Sequence, residues 1–179
     1  MESKEDLLKW YDEEYCLQAV KQKPSNLQYV KNQTKKICLE AIKCDEYVLY
    51  FVKNQTEEIC LEAVKQNGYI LRYIHNQTKE ICLAAIKQNG YALQFARNQT
   101  EEMCLEAVKQ DGLLLRFVNN QTKKICLEAI KQNWKALQFV ENQTEKIYLT
   151  ALNQNIETIK YVDIKKFPKV YEKYLFIIK

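Results

Sequence analysis

The apolar and polar positions of this chain repeat every 22 residues. Thr56 to Gln77, TEEICLEAVKQNGYILRYIHNQ, is a clear copy, and seven copies begin at Asp12, Thr34, Thr56, Thr78, Thr100, Thr122 and Thr144 with no insertion or deletion between them. Position one is Thr, or Asp in the first copy, then two charged residues, then apolar residues at positions four, five, six, eight and nine. In the third copy these are Ile59, Cys60, Leu61, Ala63 and Val64. A Thr ahead of such a run signals a helix start, because its oxygen can accept from the free amide groups of the first turn. At about 100° per residue the apolar positions sweep an arc wider than a surface helix needs, so this helix is expected to touch neighbours on two sides. Lys65-Gln66-Asn67-Gly68 predicts its end, with Lys against the negative pole and Asn-Gly supplying a left-handed residue. A shorter helix over Tyr69 to His75 follows and closes at Asn76-Gln77. Leu or Ile at position sixteen and Tyr or Phe at position eighteen are expected to fill the space between the two helix layers.

A small unit repeated at fixed spacing cannot bury its apolar face without a neighbour, so the pattern predicts an all-α fold, an α-solenoid of two-helix, 22-residue repeats. One continuous amphipathic helix would not tolerate the recurring Asn-Gly and Asn-Gln-Thr breaks. A leucine-rich repeat would show a strand motif that is absent. Residues 1–11 read as an N-terminal cap, 12–165 as the seven repeats, and 166–179 as a C-terminal capping helix after the break at Phe167-Pro168. Position two alternates in sign, Glu13, Lys35, Glu57, Lys79, Glu101, Lys123, Glu145, so stacking is expected to bring unlike charges together. Asn-Gln-Thr occurs six times, at Asn32, Asn54, Asn76, Asn98, Asn120 and Asn142. We read it as a helix end followed by a helix start, with the Asn side chains forming a hydrogen-bonded ladder, and not as a set of glycosylation sites.

Composition narrows the function classes. With 27 basic against 23 acidic residues the net charge is only +4, so bulk charge argues neither for nor against nucleic acid. The first residues carry no basic-then-apolar leader, and no apolar run approaches the roughly 18 residues of a membrane span. The expectation is a soluble protein of a reducing, cytoplasmic compartment with no membrane partner. Six of the seven cysteines, Cys16, Cys38, Cys60, Cys82, Cys104 and Cys126, share position five. Equivalent points on stacked helices lie about 8 to 10 Å apart, too far for a disulfide, so these cysteines are expected to be buried free thiols. No Cys-x-x-Cys pair accompanies the single histidine, His75, so no metal or other cofactor is implied. No nucleophile with a base, no pair of unlike carboxylates and no phosphate-cradling loop is present, and the chain reads as non-enzymatic.

What varies between copies is the second helix. Positions seventeen and twenty pair Gln28 with Lys31, Tyr50 with Lys53, Arg72 with His75, Gln94 with Arg97, Arg116 with Asn119, Gln138 with Glu141, and Lys160 with Asp163. A constant scaffold carrying a variable exposed column is how solenoids present a binding surface. The residues from Lys31 to Glu141 in that column are the candidate partner-binding set, and the leading expectation is a scaffold for protein–protein interaction. Nucleic-acid binding is the alternative, opposed by the acidic Glu141 and Asp163. A homo-oligomer built through the C-terminal helix is the third.

The stretch Leu61 to Tyr73, LEAVKQNGYILRY, and its counterpart Leu83 to Phe95 resemble a family of helical repeats of unknown function, abundant in large DNA viruses of amoebae and found in some bacteria. The likeness covers roughly residues 12 to 161. It implies an intracellular helical array, viral in setting and acting inside the host cell, and brings no catalytic residues with it. The strict 22-residue period and the Cys at position five depart from that pattern.

Overall fold

The computed structural model describes residues 8–170, which form helices and turns with no strand among them. Each copy opens with an α-helix: Glu13–Gln22, Lys35–Cys44, Glu57–Gln66, Lys79–Gln88, Glu101–Gln110, Lys123–Gln132 and Glu145–Leu152. Each then turns into a 3₁₀ helix: Pro24–Gln28, Glu46–Phe51, Gly68–Tyr73, Gly90–Phe95, Gly112–Phe117, Trp134–Phe139 and Ile156–Tyr161. The fold is an α-solenoid whose second helix is of the tighter kind. Two compact units divide the copies, residues 1–97 and 98–179.

The three-residue period of the 3₁₀ helix decides what faces inward. Positions thirteen, sixteen and nineteen fall in one line, and in copy three these are the buried Gly68, Leu71 and Ile74. They meet the α-helical residues at positions four, five, eight and nine, which are Ile59, Cys60, Ala63 and Val64. In the second unit the same line is Gly112, Leu115 and Val118 against Met103, Cys104, Ala107 and Val108. The expectation for position eighteen needs correction. Phe51, Tyr73, Phe95, Phe117, Phe139 and Tyr161 are half-buried at the flank, and Tyr29 is exposed. Position fifteen, one turn earlier on the same line, is buried, as at Ile70 and Leu114, and the larger ring at position eighteen ends at the flank.

The helix starts follow the sequence reading. Thr78 Oγ1 accepts from Ile81 N–H at 3.3 Å and donates to Glu57 of the preceding copy at 2.8 Å. The same two bonds recur at Thr34, to Glu13, and at Thr122, to Glu101. Thr78→Ala removes the cap and the tie to Glu57 together, and is expected to cost about 1–2 kcal/mol in a denaturant melt, against no measurable loss for Thr78→Ser. Unlike charges of adjacent copies do meet, and at Lys35 and Glu101 position two is paired with position three. Lys35 meets Glu58 at position three of the next copy at 2.5 Å, and Lys124 reaches back to Glu101 at 3.8 Å. Glu13, Glu57 and Glu101 at position two take the Thr hydroxyl of the next copy, and Lys35 takes a carboxylate.

The helix stop is not the left-handed residue that Asn-Gly implied. Among the described residues none has positive φ. Asn67 is extended, at φ −147° and ψ 111°, and its Oδ1 accepts from Tyr69 N–H at 3.0 Å. It therefore caps the start of the second helix. Gly68 is small because the next copy's helix comes close: a Cβ there would run into the Ala85 carbonyl oxygen and lie 3.0 Å from Gln88 Oε1. Gln88 Oε1 accepts from Gly68 N–H at 2.6 Å.

The ladder is built by Gln, not by Asn. Gln77 Nε2 donates to Leu71 O in its own copy and to Phe95 O in the next, both at 3.0 Å, and its Oε1 accepts from Arg97 N–H at 3.0 Å. Gln33 and Gln55 make the same three bonds in the first unit. Gln143 makes them in the second, to Leu137, Tyr161 and Asp163. The Asn residues at position twenty-one are exposed and form no rung among the described residues. At the N-terminal end no Gln precedes the first copy, and Trp10 O accepts from Lys31 N–H at 3.1 Å in its place. Trp10 also packs on Tyr15 and Tyr29 of the first copy, both with ring centroids at 5.3 Å. Most of the proposed C-terminal helix, residues 171–179, lies outside the described residues.

The seven cysteines are free, six of them buried at position five and Cys44 exposed. Thiols at Cys82, Cys104 and Cys126 point at the ladder, with Sγ 3.9, 3.7 and 3.7 Å from the Oε1 of Gln77, Gln99 and Gln121. Burial pushes the Cys38, Cys60, Cys104 and Cys126 thiols from the ordinary 9.0 up to about 11. A raised folded value means that the native state holds these protons more tightly. The stability they contribute is complete below about pH 9 and is lost as pH rises through 11. A thiol reagent at neutral pH is expected to label Cys44 alone, and the buried thiols only as alkaline unfolding proceeds. Fast labelling of more than one thiol in the native protein would contradict this.

Candidate functional site

The outer line of the 3₁₀ helix, positions fourteen, seventeen and twenty, forms the face that the sequence singled out. Every candidate residue there is exposed: Lys31, Tyr50, Lys53, Arg72, His75, Gln94 and Arg97 in the first unit, and Arg116, Asn119, Gln138 and Glu141 in the second. Exposure does not make them free. The backbone N–H of Lys53, His75 and Arg97 is held by the glutamine ladder, as are those of Asn119 and Glu141. Lys53 Nζ donates to Val30 O at 3.1 Å and to Lys31 O at 3.3 Å. Arg97 donates to His75 O at 2.7 Å and to Ile74 O at 3.3 Å. Both cations thus cap the carbonyl end of the preceding copy's second helix, where positive charge is favoured. Gln94 and Gln138 turn back on their own helices, donating to Tyr91 O at 3.1 Å and to Lys135 O at 3.0 Å.

Position seventeen is different where it carries a cation. The Arg72 guanidinium sits 5.2 Å from the centre of the Tyr73 ring and 5.3 Å from that of Phe95. In the second unit Arg116 lies over Phe117 at 4.6 Å, and Lys160 over Tyr161 at 5.2 Å and Trp134 at 6.0 Å. Half-buried rings at position eighteen are thus seats for cations, which the sequence reading missed by assigning those rings to the core.

The sequence reading also missed a groove of about 390 Å³ in the first unit, lined by Ser25, Asp45, Tyr47, Val48, Tyr50, Phe51 and Tyr73. Tyr50 stands edge-on to Phe51 and to Tyr73, at 5.6 and 6.4 Å and 78° in both cases. Asp45 Oδ1 accepts from Tyr47 N–H at 2.9 Å, and the Tyr47 hydroxyl accepts from Asn67 Nδ2 at 3.3 Å, so Tyr47 is fixed at both ends. The signal was present in copy two, which reads Cys44-Asp45-Glu46 where copies three and four read Gln-Asn-Gly, and which has Tyr50 where copy three has Arg72. No described helix is long and apolar enough to cross a membrane.

A family model described as Domain of unknown function (DUF4116) matches residues 12–56, 34–79, 56–99 and 100–145. Each match spans about two 22-residue copies. No curated protein and no solved structure matches the chain.

Proposed function

Because the chain belongs to the DUF4116 family, whose description assigns no chemistry, we propose a function from its surface: a non-enzymatic scaffold that binds a protein partner through the second-helix face of the first unit. The setting that goes with this reading is the interior of a cell, a host cell if the viral resemblance holds. The observation that carries it is the exposure of Tyr47 and Tyr50, at 51 and 71 %, on the outer line of the second helix, with Arg72 over the neighbouring Tyr73. Tyr and Arg are the residues that dominate binding energy at protein interfaces, since they offer large contact area with a polar end. The first-helix face offers mainly Glu and Lys, such as Glu58, Glu62 and Lys65, and is ordinary solvent surface.

Capture from lysate with the wild type and with Arg72→Glu tests this reading. The variant is expected to lose the main partner or to hold it at least about tenfold more weakly. Identical partner sets, in equal amounts, would remove this face from consideration. Nucleic acid is the second reading, favoured by the basic run Lys31, Lys53, His75 and Arg97 along position twenty of the first unit. It is weakened because Lys53 and Arg97 already give their donors to backbone carbonyls. Binding to RNA or DNA that falls steeply with salt would install it in place of the first.

A further inference from the structure

We propose that the groove of copy two binds a quaternary ammonium group, presented as the trimethylated side chain of a lysine in a protein partner. The proposal rests on the protein-scaffold reading for the source of that group, and on the groove itself for the chemistry. A tetraalkylammonium ion is held by the negative faces of aromatic rings set at angles around it, with a carboxylate nearby. The groove supplies Tyr47, Tyr50, Phe51 and Tyr73, with Tyr50 close to perpendicular to two of the others, and the Asp45 carboxylate lies among them.

The repeat itself provides the comparison. In copies three, five and seven, position seventeen is a cation lying over the ring at position eighteen: Arg72 on Tyr73, Arg116 on Phe117 and Lys160 on Tyr161. In copy two that position is Tyr50, a further ring in place of the charge. Among the described residues no cation of the chain lies over Tyr47, Tyr50 or Phe51, while Tyr73, the fourth ring of the groove, carries Arg72. In copy two the Tyr50 ring thus stands between Phe51 and Tyr73, as the Arg72 guanidinium stands between Tyr73 and Phe95, and an aromatic wall replaces the internal cation there. Asp45 and Glu46 give this end of the face the negative charge that a cation from outside would meet.

The surroundings favour a methylated over a bare ammonium. A bare ammonium must hand three N–H groups to acceptors, and a groove walled by four rings offers few. A trimethylammonium has none to satisfy and sheds its water at lower cost. The volume of about 390 Å³ admits such a head with part of its stem. The opening lies on the exposed second-helix face, next to Arg72 on Tyr73, where a peptide carrying the group would run.

The test is a titration of the full chain followed through its tyrosine ring resonances. The probes are tetramethylammonium chloride, a short peptide with one Nζ-trimethyl-lysine, the same peptide unmethylated, and its neutral isostere with a tert-butyl head. Tetramethylammonium is expected to shift the groove tyrosines, and the trimethylated peptide to bind about tenfold or more tighter than either control peptide. Tyr50→Ala should weaken that binding by a similar factor. Tyr50 is exposed, so an unchanged circular dichroism spectrum and melting curve would show that the fold persists. Asp45→Asn should weaken binding severalfold and flatten its salt dependence. Equal binding of the tert-butyl isostere, or no response to tetramethylammonium, would overturn the proposal. Preference for phosphocholine vesicles over the peptide would overturn the protein source. If the groove fails while Arg72→Glu still abolishes capture, the scaffold reading stands, so the two fail separately.

Discussion

Gln77→Ala is expected to lower the stability of the protein by about 2–4 kcal/mol, while Asn76→Ala, one residue earlier, changes it by less than about 0.5 kcal/mol. The two side chains differ by one methylene and sit on the same turn, and Asn76 was the residue expected to build the ladder. Asn76 is exposed, and its truncation leaves nothing unpaired. Truncation of Gln77 strands two backbone groups, the carbonyl of Phe95 and the N–H of Arg97, and leaves the Leu71 carbonyl with only its bond from Ile74 N–H. Each costs roughly 1–3 kcal/mol if it stays dry, and water reaching the half-buried site recovers part of the sum. The loss should appear as a melting temperature lower by roughly 5–15 °C. Gln77→Glu keeps the shape and one acceptor but cannot donate, so it should fall with the alanine variant. A loss at Asn76 as large as at Gln77 would mean that the rungs are not what joins one copy to the next.

Gly112→Ala is the second large effect, and its sign is the informative part. Gly112 has no positive φ, so by conformational entropy alone the substitution ought to stabilise by about 0.4–1 kcal/mol. Packing says the opposite. A Cβ would overlap the Ala129 carbonyl oxygen and lie 3.0 Å from Gln132 Oε1, which accepts from Gly112 N–H at 2.5 Å. Backbone cannot rotate aside as a side chain can, so the adjoining helix must retreat and that hydrogen bond must lengthen. A net loss of about 2–3 kcal/mol is expected from a urea melt. Trp134 provides a natural control at position thirteen, because the helix of the last copy ends two residues early, at Leu152. Copy two provides another: Glu46 replaces Gly there, and its carboxylate makes the contact to the next copy through Asn67 Nδ2 at 2.9 Å. Gain of stability in Gly112→Ala would show that the copies stand farther apart than described.

The sequence was legible where a local rule acts alone. Period, helix starts and buried thiols all follow from Thr at position one and from apolar spacing, and the α-solenoid needed nothing more. Reading failed where the answer depended on the neighbouring copy. Asn-Gly is the usual sign of a left-handed stop, but at Gly68 the small residue answers to Ala85 of the next copy, which no local pattern reveals. Gln and Asn are adjacent in Asn-Gln-Thr, and only the reach of the longer side chain to a carbonyl 18 residues away makes Gln77 the joining element. The second helix was foreseen, but not its three-residue turn, and position eighteen was placed inside when it belongs to the flank. The groove in copy two went unread because Asp45, Glu46 and Tyr50 look like wear in a repeat until Tyr73 is seen beside them.

Each glutamine of the ladder ends one copy and secures the next, so support is handed on in a single direction. Shortening the array from its C-terminal side leaves every remaining copy held by the one before it, whereas removing the front deprives the new first copy of its anchor. Only a stand-in such as Trp10 O, which holds the Lys31 N–H, can restore it. The same polarity matches the order of emergence from a ribosome, where each copy appears after the residue that will fasten it and can settle before its successor is made.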